Sequence, residues 1–82
     1  MSAYVLLFKE LETKEKVIYC YGPNEQQLGK IEYNKITKTF QEIEGIQNFS
    51  QKESDHYLSY AAKKIASILR RGEEFPDETF FA

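Results

Sequence analysis

Cys20 and His56 are the two residues of this chain that could form a nucleophilic thiol–imidazole pair, which needs a thiolate and a base within hydrogen-bond reach. Cys20 stands between Tyr19 and Tyr21 in a run that reads as a strand, where a free cysteine behaves as a small hydrophobe. His56 falls in the first turn of a helical segment, whose positive dipole end disfavours the charged imidazole, and it reads as a surface residue. No catalytic residue is assigned. Glu53 and His56 have the Glu-x-x-His spacing that sets two ligands on one helical face, but a di-iron site uses this motif twice and adds further glutamates. A zinc site of about four ligands would have to be completed by carboxylates. Neither a metal nor a cofactor is expected. Gly22 and Gly29-Lys30 resemble a phosphate-binding loop only in outline, because six residues separate the glycines where the motif has four, and Ile31 replaces its Ser or Thr. Asn48-Phe49-Ser50 fits a glycosylation sequon and reads as a surface loop.

Tyrosines offer a different chemistry. Tyr4, Tyr19, Tyr21 and Tyr33 on a sheet could stack on bases, with Lys63, Lys64, Arg70 and Arg71 grouped on the helix as phosphate partners. The net charge of −2 gives no general attraction for phosphate backbones or anionic lipids, and the Lys/Arg-Gly-aromatic run of RNA-recognition domains is missing. Nucleotide or single-stranded nucleic-acid binding through sheet tyrosines therefore stands as the alternative reading, since tyrosines in strands usually pack. Charge is unevenly spread: residues 1–72 hold all 11 Lys and Arg against 9 acids, whereas the last ten residues hold Glu73, Glu74, Asp77 and Glu78. The basic helix residues are expected to pair with that acidic tail.

These residues must be positioned by a small scaffold. Eighty-two residues make one domain (1–82), which buries only ~60% of the surface that the unfolded chain exposes. A hydrophobic fraction of 41% and a charged fraction of 29% are those of a globular chain, and six Tyr and six Phe can fill a small core. One cysteine cannot make an internal disulfide, and the N-terminus lacks a secretory flank, so a cytoplasmic location is expected. The apolar run Ala3 to Phe8 is far short of the ~20 residues that span a bilayer, so no membrane insertion is expected.

The pattern predicts a two-layer α+β fold, with a four-stranded, mainly antiparallel meander over 3–44, one helix over 50–72 packed on one face, and an acidic aromatic tail over 73–82. Strand runs fall at 3–11, 16–21, 28–33 and 38–44; Gly22-Pro23-Asn24 breaks the pattern after the second, and Asn34–Thr37 suits a hairpin loop. Leu58, Ala61, Ala62, Ile65, Ile68 and Leu69 form one helical stripe, with Ile65 and Leu69 expected in the core. Ser50 with Glu53 has the capping-box pattern, Ser54-Asp55 is an equal alternative start, and Gly72 after Arg70 and Arg71 suits a helix end.

The third run alternates, with Ile31 and Tyr33 set against Lys30 and Glu32, as a half-solvated sheet should. The first two do not. Strand one sets Tyr4, Leu6 and Phe8 against Val5, Leu7 and Leu11, and strand two sets Val17, Tyr19 and Tyr21 against Ile18 and Cys20. One helix covers one face, so the other requires the tail with Phe75, Phe80 and Phe81, a second copy of the chain, or another protein. The expected contact residues are Tyr4, Val17, Tyr19, Tyr21, Phe75, Phe80 and Phe81. With no catalytic set in view, the function expected is that of a non-enzymatic protein-interaction module.

The order of a charged, Tyr-rich meander, a terminal helix and a Gly72-Glu73-Glu74-Phe75-Pro76 exit resembles small bacterial and phage proteins that have no assigned activity. Some such chains resemble immunity or inhibitor proteins, and the resemblance implies action by masking a larger partner. It carries no functional residue over to this chain.

Overall fold

The computed structural model describes residues 4–82, so Ala3, expected at the start of the first strand, lies outside the described residues. The elements in chain order are β1 (Val5–Glu12), β2 (Lys16–Asn24), β3 (Gln27–Asn34), β4 (Thr39–Glu44), α1 (Gln51–Arg71) and β5 (Glu78–Phe81). The architecture is α+β, with one antiparallel sheet ordered β4-β3-β2-β1-β5 and the helix packed on one face. No helix among the described residues is long and apolar enough to cross a membrane.

The sheet has five strands rather than the expected four, because the tail supplies β5, which pairs with β1 through Val5↔Phe81 and Phe8↔Glu78. Four residues, Glu-Thr-Phe-Phe, are too few to show strand periodicity of their own, and their extended form depends on the free edge of β1. Three successive carbonyls of the exit segment are held on the way: Lys9 Nζ donates to Phe75 O (3.0 Å), the Tyr19 hydroxyl to Pro76 O (2.6 Å) and Lys9 N to Asp77 O (2.7 Å). The tail acids do not pair with the helix cations. Asp77 lies 3.5 Å from Lys9, and among the described residues no ion pair joins the tail to Lys63, Lys64, Arg70 or Arg71.

Asparagines shape two of the turns. Asn24 Oδ1 accepts from Gln26 N and Gln27 N, and Asn34 Oδ1 accepts from Ile36 N and Thr37 N, the side chain standing in for a backbone acceptor. Gly22-Pro23 does not end β2; the strand runs on to Asn24 with a register shift between Tyr21 and Asn24. The glycines serve packing. A Cβ on Gly22 would stand 2.0 Å from Gln27 O, and one on Gly29 would meet Glu44 O at 2.6 Å and the Tyr21 ring at 3.0 Å.

The helix begins with Ser50 as N-cap in a full capping box with Glu53, and Gly72 closes it in the left-handed conformation at φ 69°. Ser54 is not the start but a buried member of the stripe; its Oγ accepts from Ile46 N (3.0 Å) and lies 3.4 Å from the Tyr21 hydroxyl. Ala61, Ile65 and Ile68 are buried and Leu58 and Ala62 half-buried, while Leu69, expected in the core, is 39% exposed. In this last turn Ile68 stays in the core and Leu69 lines an open cleft beside Tyr33 and Phe75. The core joins α1 to Val5, Leu7, Val17, Tyr19, Tyr21, Ile31, Tyr33 and Ile46.

Candidate interaction face

The face of the sheet turned away from α1 is set by β1, β2 and β5. Antiparallel partners share a face, so Phe8↔Cys20, Leu6↔Phe80 and Phe8↔Glu78 put Leu6, Phe8, Cys20 and Phe80 together. A β-bulge decides the rest. The β1–β2 register shifts between Lys9 and Leu11, so Leu11 pairs with Ile18 and joins the open face, where simple alternation from Val5 and Leu7 had placed it on the covered one. The same shift pairs Glu12 with Val17 and turns it toward the covered side, where it meets Lys9 (2.9 Å) and Lys35 (2.8 Å).

The open face thus carries a continuous apolar strip. Tyr4 is 50% exposed, Phe80 53% and Leu11 42%, while Leu6 and Phe8 are half-buried between them. Tyr4 and Phe80 stack with ring centroids 5.6 Å apart. Toward β3 the strip ends in ion pairs, Lys30–Glu10 at 3.1 Å and Lys16–Glu32 at 4.0 Å. Cys20 sits at that border, its Sγ 3.8 Å from Glu10 Oε1. Burial first, and the neighbouring Glu10 charge next, push its thiol pKa above the ordinary value, so it is a poor thiolate. His56 rides on α1, which packs against the other face, so the sheet separates it from Cys20 and the two form no pair.

The expected contact residues divide between the faces. Tyr4 and Phe80 meet on the open one. Val17, Tyr19 and Tyr21 are fully buried under the helix and have no surface to offer a partner. Phe75 and Phe81 also turn to the helix side: Phe75 packs near Tyr19 and Tyr33 (6.4 Å each) and Phe81 against Tyr60 (5.2 Å). The tail therefore widens the sheet and does not cover its open face. Leu6, Phe8 and Leu11 stand on the open face where the buried three do not, and Ile18, on the same face, is only 8% exposed. The signal for this was the alternation of β3 over 30–33, where Ile31 and Tyr33 must face the helix and Lys30 and Glu32 the other side; the pairs Tyr19↔Ile31 and Val17↔Tyr33 carry that choice to β2.

Tyr19 and Tyr33 are also buried members of the stacking set proposed for nucleic acid, as is Tyr21, which leaves Tyr4 as the exposed one. Burial, then the charges of Glu12 and Asp77, raise the Tyr19 hydroxyl above the usual phenol range, so it stays a neutral donor to Pro76 O. Around it, Lys35 and then Lys9 hold the Glu12 carboxyl below its ordinary value. Among the described residues no group of three or more His, Cys, Asp or Glu is placed to hold a metal ion. No protein family, no curated protein and no solved structure matches this chain.

Proposed function

We propose that this chain is a non-enzymatic interaction module of inhibitor or immunity type, which docks on a larger protein through the helix-free face of its sheet. One observation carries the reading: Tyr4, Leu6, Phe8, Leu11 and Phe80 form a strip that no described element of the chain covers. Contiguous exposed apolar surface on a small domain marks an interaction site, and aromatic residues such as the Tyr4–Phe80 stack supply the anchors of such interfaces. The bordering ion pairs form a polar rim.

The test uses the tagged intact chain and its Phe80→Asp and Leu6→Asp variants against lysate of the native host, with light-scattering chromatography in parallel. Stoichiometric retention of one protein, lost in both variants at unchanged melting temperature, supports the reading. A monomer whose variants retain the same proteins as the parent refutes it. A dimer that Phe80→Asp dissociates makes the occupant a second copy of the chain.

A further inference from the structure

The three buried tyrosines of the core are not alike. The Tyr19 hydroxyl donates to Pro76 O and the Tyr21 hydroxyl lies against Ser54 Oγ, but the Tyr33 hydroxyl makes no hydrogen bond among the described residues. Tyr33 is only 6% exposed. Since no fully buried polar side-chain atom among the described residues lacks a partner, the Tyr33 hydroxyl keeps some of that exposure. The cavity that Tyr33 lines is a cleft of about 670 Å³ between the β3–β4 loop and the segment leaving α1. Its size is within the ~300–1,000 Å³ range of small-molecule sites.

The cleft is lined by apolar groups and by charges of both signs. Tyr33, Phe75 and Leu69 supply the apolar lining, and Lys9, Glu12 and Lys35 line it as a paired cluster. Lys38 also lines it, held at a left-handed φ of 60° where its N–H closes the loop on Asn34 O (2.8 Å), as do Glu73 and Glu74, just past the helix end. Among the described residues none of these three makes an ion pair, so no bridge closes the cleft. Lys35, by contrast, is engaged with Glu12 Oε2 (2.8 Å) and Thr13 O (2.7 Å), with its ammonium 5.6 Å from the centre of the Phe75 ring.

We infer that this cleft binds a small zwitterion of the amino-acid type with an apolar side chain, its carboxylate toward Lys38 and the Tyr33 hydroxyl, its ammonium toward Glu73 and Glu74. A simple anion would meet the two glutamates and a simple cation the unpaired lysine; a ligand bearing both charges can pair with both. The apolar body then rests on Phe75 and Leu69. The site is separate from the open sheet face and does not depend on the function proposed for it.

L-phenylalanine is the probe, with phenylalanine amide lacking the carboxylate and N-acetylphenylalanine lacking the ammonium, each titrated into the ¹⁵N-labelled intact chain by NMR. The expected result is saturable shifts centred on Tyr33, Lys38, Glu73 and Phe75, with either blocked form about tenfold weaker, as the loss of a charge-assisted hydrogen bond implies. Tyr33→Phe keeps the ring packing and should weaken phenylalanine about threefold at unchanged melting temperature. Lys38→Gln should weaken phenylalanine and leave the amide unaffected. No saturable shift up to the solubility limit, equal binding of all three compounds, or shifts centred elsewhere would overturn the inference.

Discussion

On the helix side of β1 and β2, Val5, Leu7, Val17, Tyr19 and Tyr21 have no exposed surface, whereas on the reverse side Tyr4 and Phe80 keep about half of theirs. The same two strands supply apolar residues to both sides, so hydrophobicity does not tell the faces apart. What differs is the neighbour. On one side α1 adds Ala61, Ile65 and Ile68 and the exit segment adds Phe75; on the other nothing described is added. A strand with two apolar faces can thus serve folding with one and association with the other.

The largest contrast should come from placing one charge on each face. Tyr19→Asp would bury an unpaired carboxylate beside Glu12 and Asp77 and free the Pro76 carbonyl, at a cost of at least ~3–5 kcal/mol. Against a total stability of ~5–15 kcal/mol for a typical domain, most of the population should lose cooperative melting by circular dichroism. Phe80→Asp should leave the melting temperature within a few degrees of the parent. Equal damage from the two would show that the faces are equally covered in solution.

The helix stripe offers a smaller version of the same contrast. Ile65→Ala removes a fully buried side chain and should cost ~2–5 kcal/mol in urea unfolding. Leu69→Ala, at a half-open position beside the cleft, should cost under ~1 kcal/mol, and a cost equal to that of Ile65→Ala would move the core boundary one turn further along α1.

At Cys20 the expected effect is kinetic. Because burial and Glu10 raise its thiol pKa, a thiol reagent at neutral pH should label the native chain much more slowly than the urea-unfolded one, and Glu10→Gln should speed the native reaction. Rapid labelling of the parent would mean that the strip is more open than its half-buried residues indicate.

The smallest effect concerns acid. Glu12 has a folded pKa below its ordinary value of 4.5 because Lys35 and Lys9 bind its charged form. Its stabilisation is therefore fully present above that ordinary value and is lost as pH falls through the lower folded one. Melting temperature should be flat from neutrality to about pH 5 and drop below about pH 4, with a shallower drop in Glu12→Gln. An unchanged slope in that variant would assign the acid sensitivity to other carboxylates, such as the capping Glu53.

Local chemistry made the helix legible from residue types: Ser50 and Glu53 at its start, Gly72 at its end and an apolar residue every three or four positions are interactions within one turn. The four meander strands and the loop after Asn34 were legible for the same reason, since alternation and Asn-containing loops act over a few residues, whereas Gly22-Pro23 has the residue types of a break and β2 runs through it. Partner-dependent features were not. Glu78–Phe81 becomes a strand only beside the edge of β1, the bulge at Glu10 that moves Leu11 to the open face exists only against β2, and Ser54 is a core residue only because Ile46 and Tyr21 reach it. The sequence by itself determined that β1 and β2 have two apolar faces, because side chains alternate along any strand. Which face is core was decided by tertiary structure, where the register Tyr19↔Ile31 aligns β2 with the Ile31 and Tyr33 side of β3 and the helix settles on that side.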